Sequence, residues 1–265
     1  MRVLLVQAAP QPGEPAANAE AIRAALAAHP GAELAVLPEM FLTGYDLPAA
    51  AERAITPDDA ALALVRDAAR EAGTAVVAGF AERLPGGALA NSVACIDSDG
   101  RSVATYRKTH LFGRESDVFT AGERLLVVEL AGRRIGILNC FDVEFPEPAR
   151  ALARAGAELL VTVAANMDPY GPDHQLAVRA RALDNRLAHV YVNRTGSEAG
   201  VGFVGESLAV APDGRPLLAL GRIADAAAVD LDLGASPPAA VDYLRHVRPE
   251  LPVELVTTHV QGASR

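Results

Sequence analysis

The chain has 265 residues, 51% of them apolar, and a formal net charge of −9. It can bury a large core and has no long Ser/Pro/Gly linker or charge block, so one domain over residues 1–265 is expected; the acidic balance argues against nucleic acid or an anionic membrane as partner. Two cysteines, Cys95 and Cys140, make no disulfide framework and point to a reducing, cytoplasmic setting; no signal-peptide pattern or run of about 18 apolar residues is visible.

Residues 2–7 read as a first strand, and residues 18–28, with Ile22 and Leu26 at helical spacing, as a helix stopped by Pro30-Gly31. A short strand over 34–37 runs directly into Pro38-Glu39. A helix over 56–72, ended by Gly73, and a strand over 75–80 complete a βαβαβ order, which is a layered α/β pattern. The pattern then changes. Residues 92–96 and 103–106 flank Asp97-Ser98-Asp99-Gly100, and residues 125–130 and 134–138 flank Ala131-Gly132; both are hairpin signals. They exclude a simple all-parallel sheet. A helix over 147–155, a strand over 159–164, a helix over 173–187 and a strand over 190–193 follow. Hairpin-like strands near 205–211 and 217–220 close the second half, whose element order resembles that of the first. Residues 235–265, rich in proline and without a period, read as an extended tail that packs on a partner subunit.

Three strand ends carry reactive groups. The strand over 134–138 stops at Asn139-Cys140, and Pro146 opens the next helix; a thiol on such a turn projects from the carboxyl edge of a sheet, where nucleophiles of α/β enzymes sit. A buried free cysteine is the competing reading. Glu39 follows a strand and a proline and is flanked by Leu37, Met40 and Phe41, a setting expected to desolvate the carboxylate and lift its pKa from about 4.3 toward a general base's range. Lys108 follows another strand. If one sheet edge carries all three, they supply a nucleophile, its base and a cation; the ammonium favours the thiolate and, with the Phe141 N–H, can stabilise an oxyanion.

Leu37-Pro38-Glu39, Tyr106-Arg107-Lys108-Thr109-His110-Leu111-Phe112, and Asn139-Cys140-Phe141-Asp142 through Phe145-Pro146-Glu147 resemble, in order and spacing, the three motifs of the nitrilase superfamily of carbon–nitrogen hydrolases. Further similarities are Tyr191-Val192-Asn193-Arg194, Gly205-Glu206-Ser207, Pro212-Asp213-Gly214 and Arg248-Pro249-Glu250-Leu251. The resemblance implies a four-layer α-β-β-α sandwich of the α/β class that dimerises through its outer helices, and no cofactor. It implies Cys140 as nucleophile, Glu39 as general base and Lys108 as stabiliser of the oxyanion. Glu115 fits the place of a second glutamate that holds Lys108 or positions substrate and water, with Glu123 as competitor. Asp142 reads as a structural hydrogen-bonding residue because Glu39 already fills the base's place.

Related enzymes acting on carboxylate-bearing amides tend to carry an arginine clamp two to four residues after the nucleophile; here Val143-Glu144 stands instead. A small amide substrate, neutral or cationic, is therefore expected. The competing readings are that Glu144 makes a structural salt bridge and that Arg179 or Arg181 supplies a clamp. Phe41, Tyr45, Phe112, Phe141, Asn166, Met167 and Phe203 are candidate pocket residues. Cys140-Phe141-Asp142 is closer to amidase-like branches than the Cys-Trp-Glu of many nitrilases, which makes amide hydrolysis the first reading. Nitrile hydrolysis and action on a carboxylate-bearing substrate (an omega-amidase or N-carbamoyl-amide hydrolase) follow it.

Rival classes fare worse. The six histidines are scattered without metal-ligand spacing. Gly200-Val201-Gly202-Phe203-Val204-Gly205 runs into a strand rather than the helix a phosphate loop needs. A non-catalytic redox-thiol protein is the remaining alternative.

Overall fold

The computed structural model describes residues 1–234 and 243–248. In chain order the elements of the first half are β1 (Arg2–Gln7), α1 (Pro15–Ala28), β2 (Leu34–Val36), α2 (Ala50–Arg53), α3 (Ala60–Ala72), β3 (Ala75–Arg83), β4 (Leu89–Ile96) and β5 (Ser102–Arg107). Then come β6 (Leu126–Leu130), β7 (Arg133–Asn139), α4 (Pro146–Arg154), β8 (Leu159–Ala164), α5 (Gly171–Asn185) and β9 (Ala188–Asn193). The short strands β10 (Ser197–Glu198), β11 (Val201–Gly202), β12 (Leu208–Val210), β13 (Pro216–Ala219) and β14 (Asp225–Asp230) follow, and α6 (Tyr243–His246) is the last described element.

Two six-stranded sheets, ordered β14-β1-β2-β3-β4-β5 and β13-β12-β9-β8-β7-β6, face each other. In each, three central strands run parallel and the hairpin strands are antiparallel. Alternation along the strands builds the layers. Val3 and Leu5 point into the core between the sheets, together with Val77, Ile135, Ile137 and Val161. Leu4 and Val6 point the other way, under Ile22 and Leu26 of α1 and Leu62 and Val65 of α3. On the far side Leu138 and Leu160 lie under Leu152 of α4 and Val178 of α5. The result is the α-β-β-α sandwich that the resemblance implied. Cys95 sits wholly buried in the inter-sheet core.

Some boundaries differ from the sequence reading. α1 begins at Pro15, whose missing N–H is no loss in a first turn. α3 begins at Ala60 rather than residue 56, because the Asp59 side chain accepts the Ala61 N–H at 2.9 Å and caps it there. Strand β14 was not anticipated; its alanine-rich Asp225–Asp230 is ordered by pairing along the whole of β1. The expected tail over 235–265 falls, α6 and residues 247–248 apart, outside the described residues.

Both sheets turn the carboxyl ends of their parallel strands to one edge. The segments after β2, β5, β7 and β8 meet there.

Candidate active site

Glu39 lies three residues past β2. Its main chain crosses β3 so closely that a Cβ on Gly79 would stand 2.3 Å from Met40 N and 2.7 Å from Glu39 Cα. Only a glycine lets the segment reach the edge. The Glu39 carboxylate is fully buried, but its setting is not the apolar one expected from its neighbours in sequence. Oε1 accepts from Lys108 Nζ at 2.7 Å and from Asn91 Nδ2 at 2.6 Å, and Oε2 accepts the Ala165 N–H at 2.7 Å.

Lys108, one residue past β5, is equally buried and sits between two carboxylates. Its Nζ is 2.7 Å from Glu39 Oε1 and 2.9 Å from Glu115 Oε2. Burial alone would push the ammonium toward neutrality, but Glu39 and Glu115 hold its pKa well above the ordinary value, so it stays charged. Glu115 also accepts from the Tyr45 hydroxyl and the Phe112 N–H, each at 2.8 Å. The competitor Glu123 is exposed and lines a separate groove.

Cys140 follows β7 and opens a 3-10 turn over Cys140–Glu144 with φ of +49°, a left-handed conformation that a non-glycine residue holds only under constraint. Asp142 supplies the constraint. Its carboxylate accepts Asn139 N–H at 3.0 Å, the Tyr106 hydroxyl at 2.6 Å, the Thr109 hydroxyl at 2.8 Å and the His110 N–H at 2.9 Å. Burial pushes Asp142 up, yet the bonds from His110, Tyr106 and Thr109 win and hold it below the usual carboxylate range.

The thiol corrects one expectation. Lys108 was expected to favour the thiolate; instead burial, and next the Glu39 carboxylate, push the Cys140 pKa well above its ordinary value, with Lys108 opposing only in part. Burial is the first cause, and the two carboxylates around the Lys108 ammonium leave little net positive charge to offset it.

Cys140 lines a small cavity together with Tyr45, Phe112, Phe141, Glu144, Asn166 and Met167, all six expected from sequence, and with Ala165, Tyr170 and His174. Phe112 packs edge-to-face on Phe141 and on Tyr170, with centroids 5.3 and 5.4 Å apart. Two other candidates fall elsewhere. Phe41 is part of the core under α1 and α3. Phe203 packs behind Tyr45 and beneath the Arg194 guanidinium. Neither alternative clamp reaches the cavity: Arg181 donates to the Val143 and Glu144 carbonyls and Arg179 to the Gly214 carbonyl.

Asn91 was also missed, although a polar residue in the middle of the wholly buried strand Leu89–Ile96 is a readable signal. Among the described residues no group of three or more His, Cys, Asp or Glu side chains could hold a metal, and no helix is long and apolar enough to cross a membrane.

Residues 2–237 match the carbon–nitrogen hydrolase family. The chain belongs to that family. An (R)-stereoselective amidase from a Pseudomonas species is 40% identical over 92% of this chain and 89% of its own. The crystal structure of an amidase from Nesterenkonia sp. superposes with a TM-score of 0.83 at 32% identity, covering 94% of this chain and 93% of that one. A variant of the same amidase, also at 0.83 and 32% and covering 94% of both chains, carries the acetamide moiety of fluoroacetamide covalently on its active-site cysteine. As a carbon–nitrogen hydrolase of the nitrilase superfamily, this chain meets the expectation of an enzyme rather than a redox-thiol protein.

Proposed function

We propose that the chain hydrolyses a small non-peptide amide, neutral or cationic, to a carboxylic acid and ammonia through a thioester on Cys140. The observation that carries the reading is the buried Glu39–Lys108–Glu115 cluster interacting with Cys140, which lines a small aromatic cavity. The amidase names of the relatives support it.

Because the resting thiol is protonated, it needs a base as it attacks. Glu39 takes the proton while sulfur bonds to the carbonyl carbon. Lys108 has three N–H donors; Glu39 and Glu115 engage two, which leaves one for the developing oxyanion, aided by the Phe141 N–H. Collapse breaks the C–N bond, and Glu39 returns its proton to the leaving nitrogen, releasing ammonia. Water then gives a proton to Glu39 and its oxygen to the thioester carbon. Acid and free thiol follow. Glu115 fixes Lys108 and, through Tyr45, one wall of the pocket.

The companion readings are a homodimer and a reducing, cytoplasmic setting. Leu176 and Leu183, seven residues apart on α5, stand exposed, and both cysteines are free. Sedimentation velocity tests the dimer; a monomer at micromolar concentration refutes it.

Ammonia release from a panel of small amides and nitriles is the test of function. Wild type should release ammonia from amides, and Cys140→Ala and Glu39→Gln should not. Turnover that survives Cys140→Ala, or confined to nitriles or carboxylate-bearing amides, refutes the reading.

A further inference from the structure

One wall of the cavity is a chain of hydrogen bonds that the amide chemistry does not use. Tyr191 is fully buried, and burial pushes its phenol pKa well up, so it keeps its proton. Asn166, on the same cavity wall, is engaged elsewhere: its Nδ2 donates to the Tyr170 carbonyl at 3.1 Å and its Oδ1 accepts the Met167 N–H at 2.7 Å. The phenol O–H is 3.0 Å from His174 Nδ1, and His174 Nε2 is 3.1 Å from Glu144 Oε1.

These partners give the chain a direction. Tyr191 keeps its proton and donates it to Nδ1, so the imidazole carries its own proton on Nε2 and donates it to Glu144. The other tautomer would set a nitrogen lone pair against a carboxylate. His174 is 2% exposed and has no freedom to turn away. The Glu144 side chain keeps 30% of its surface open, and the residue lines the cavity. No lysine or arginine lines that cavity, and Arg181 is spent on the main-chain carbonyls of the same turn.

We infer that Glu144, aimed by His174, forms a subsite for a positively charged amine on the substrate, and that His174 is a positioning residue that sets specificity. Glu144 and Cys140 line the same small cavity, so the amine stands within a few bonds of the scissile carbonyl. The substrate class is a small amino-amide. This rests on the amide-hydrolysing reading above and narrows it.

The test compares glycinamide with its neutral isostere propionamide and its anionic counterpart malonamate at pH 7. Wild type should favour glycinamide over propionamide in kcat/KM by about tenfold, with malonamate poorest. Glu144→Gln and His174→Phe should each collapse the glycinamide-to-propionamide ratio toward one. His174→Gln, which keeps an N–H near the Nε2 position, should restore part of it. A wild-type ratio near one, or variants that lower both substrates equally, overturns the subsite. A binding readout separates this from failure of the activity itself. Ethylammonium should slow alkylation of Cys140 by iodoacetamide in wild type and lose that protection in Glu144→Gln. Equal protection in both refutes the subsite whether or not any amide is turned over.

Discussion

The Tyr106 hydroxyl donates to Asp142 Oδ2 across 2.6 Å, joining the strand that leads into Lys108 to the turn that carries Cys140. The bond crosses from one sheet to the other. Together with the Asn139, Thr109 and His110 bonds to the same carboxylate, it locks the Lys108 and Cys140 segments into one register. Asp142→Ala leaves the buried Tyr106 and Asn139 donors unpaired and frees the half-buried Thr109 and His110, with an expected cost of about 3 kcal/mol in urea unfolding. Tyr106→Phe removes one donor and should cost about 1 kcal/mol. Both should lower kcat more than they raise KM, since neither residue lines the cavity; a pure KM effect would refute this role.

Lys108 sits between Glu39 and Glu115 and pairs with both, so its removal is predicted to do two separable things. Lys108→Met should abolish turnover and destabilise the fold by about 3–5 kcal/mol, because two carboxylates are left buried without a counter-charge. Adding Glu115→Gln should recover part of the stability and none of the activity. Thermal melts and ammonia release distinguish the two effects, and recovery of activity in the double variant would contradict the assignment.

Gly79→Ala tests the approach of the Glu39 segment to β3. The added methyl meets Met40 N at 2.3 Å in the native geometry, so the segment has to shift. The expected stability loss is about 1–3 kcal/mol. The displaced carboxylate should reduce kcat by about tenfold or more. Unchanged kinetics would show that Glu39 tolerates the movement.

His189 predicts how the protein responds to acid. It is fully buried, with Nε2 2.8 Å from the Thr162 hydroxyl and Nδ1 3.2 Å from the Val178 carbonyl, and burial lowers its pKa to about 3. A neutral form favoured in the fold but protonated near pH 6.5 in the unfolded chain gives stability that is complete above about pH 6.5 and is lost as pH falls toward 3. His189→Gln should flatten the stability-against-pH curve in that window by about one proton, whatever it does to stability at pH 7. An unchanged slope would refute the neutral assignment.

Much of this architecture is legible in the sequence because its signals are local. Glu39, Lys108 and Cys140 each end an apolar strand, and strands that share a direction deliver their ends to one edge. Glu115 ranks above Glu123 because the family resemblance implies a second glutamate a few residues after the lysine. The losses are of another kind. His174 sits on α5 and gains meaning only because Tyr191, seventeen residues on, rises beneath it from β9. The protonated thiol depends first on burial and then on the carboxylates that surround Lys108, neither of which a single motif shows. β14 carries no pattern of its own and exists because β1 offers it an edge.

The unequal placement of the two cysteines has a practical consequence. Cys95 is sealed between the sheets with its pKa raised to about 12, whereas Cys140 opens on the cavity. A mild thiol reagent applied to the native protein should therefore add one adduct per chain, at Cys140, and faster as pH rises because the thiol starts protonated. The mass increment counts competent molecules in any preparation, and a second adduct reports that the two sheets have come apart.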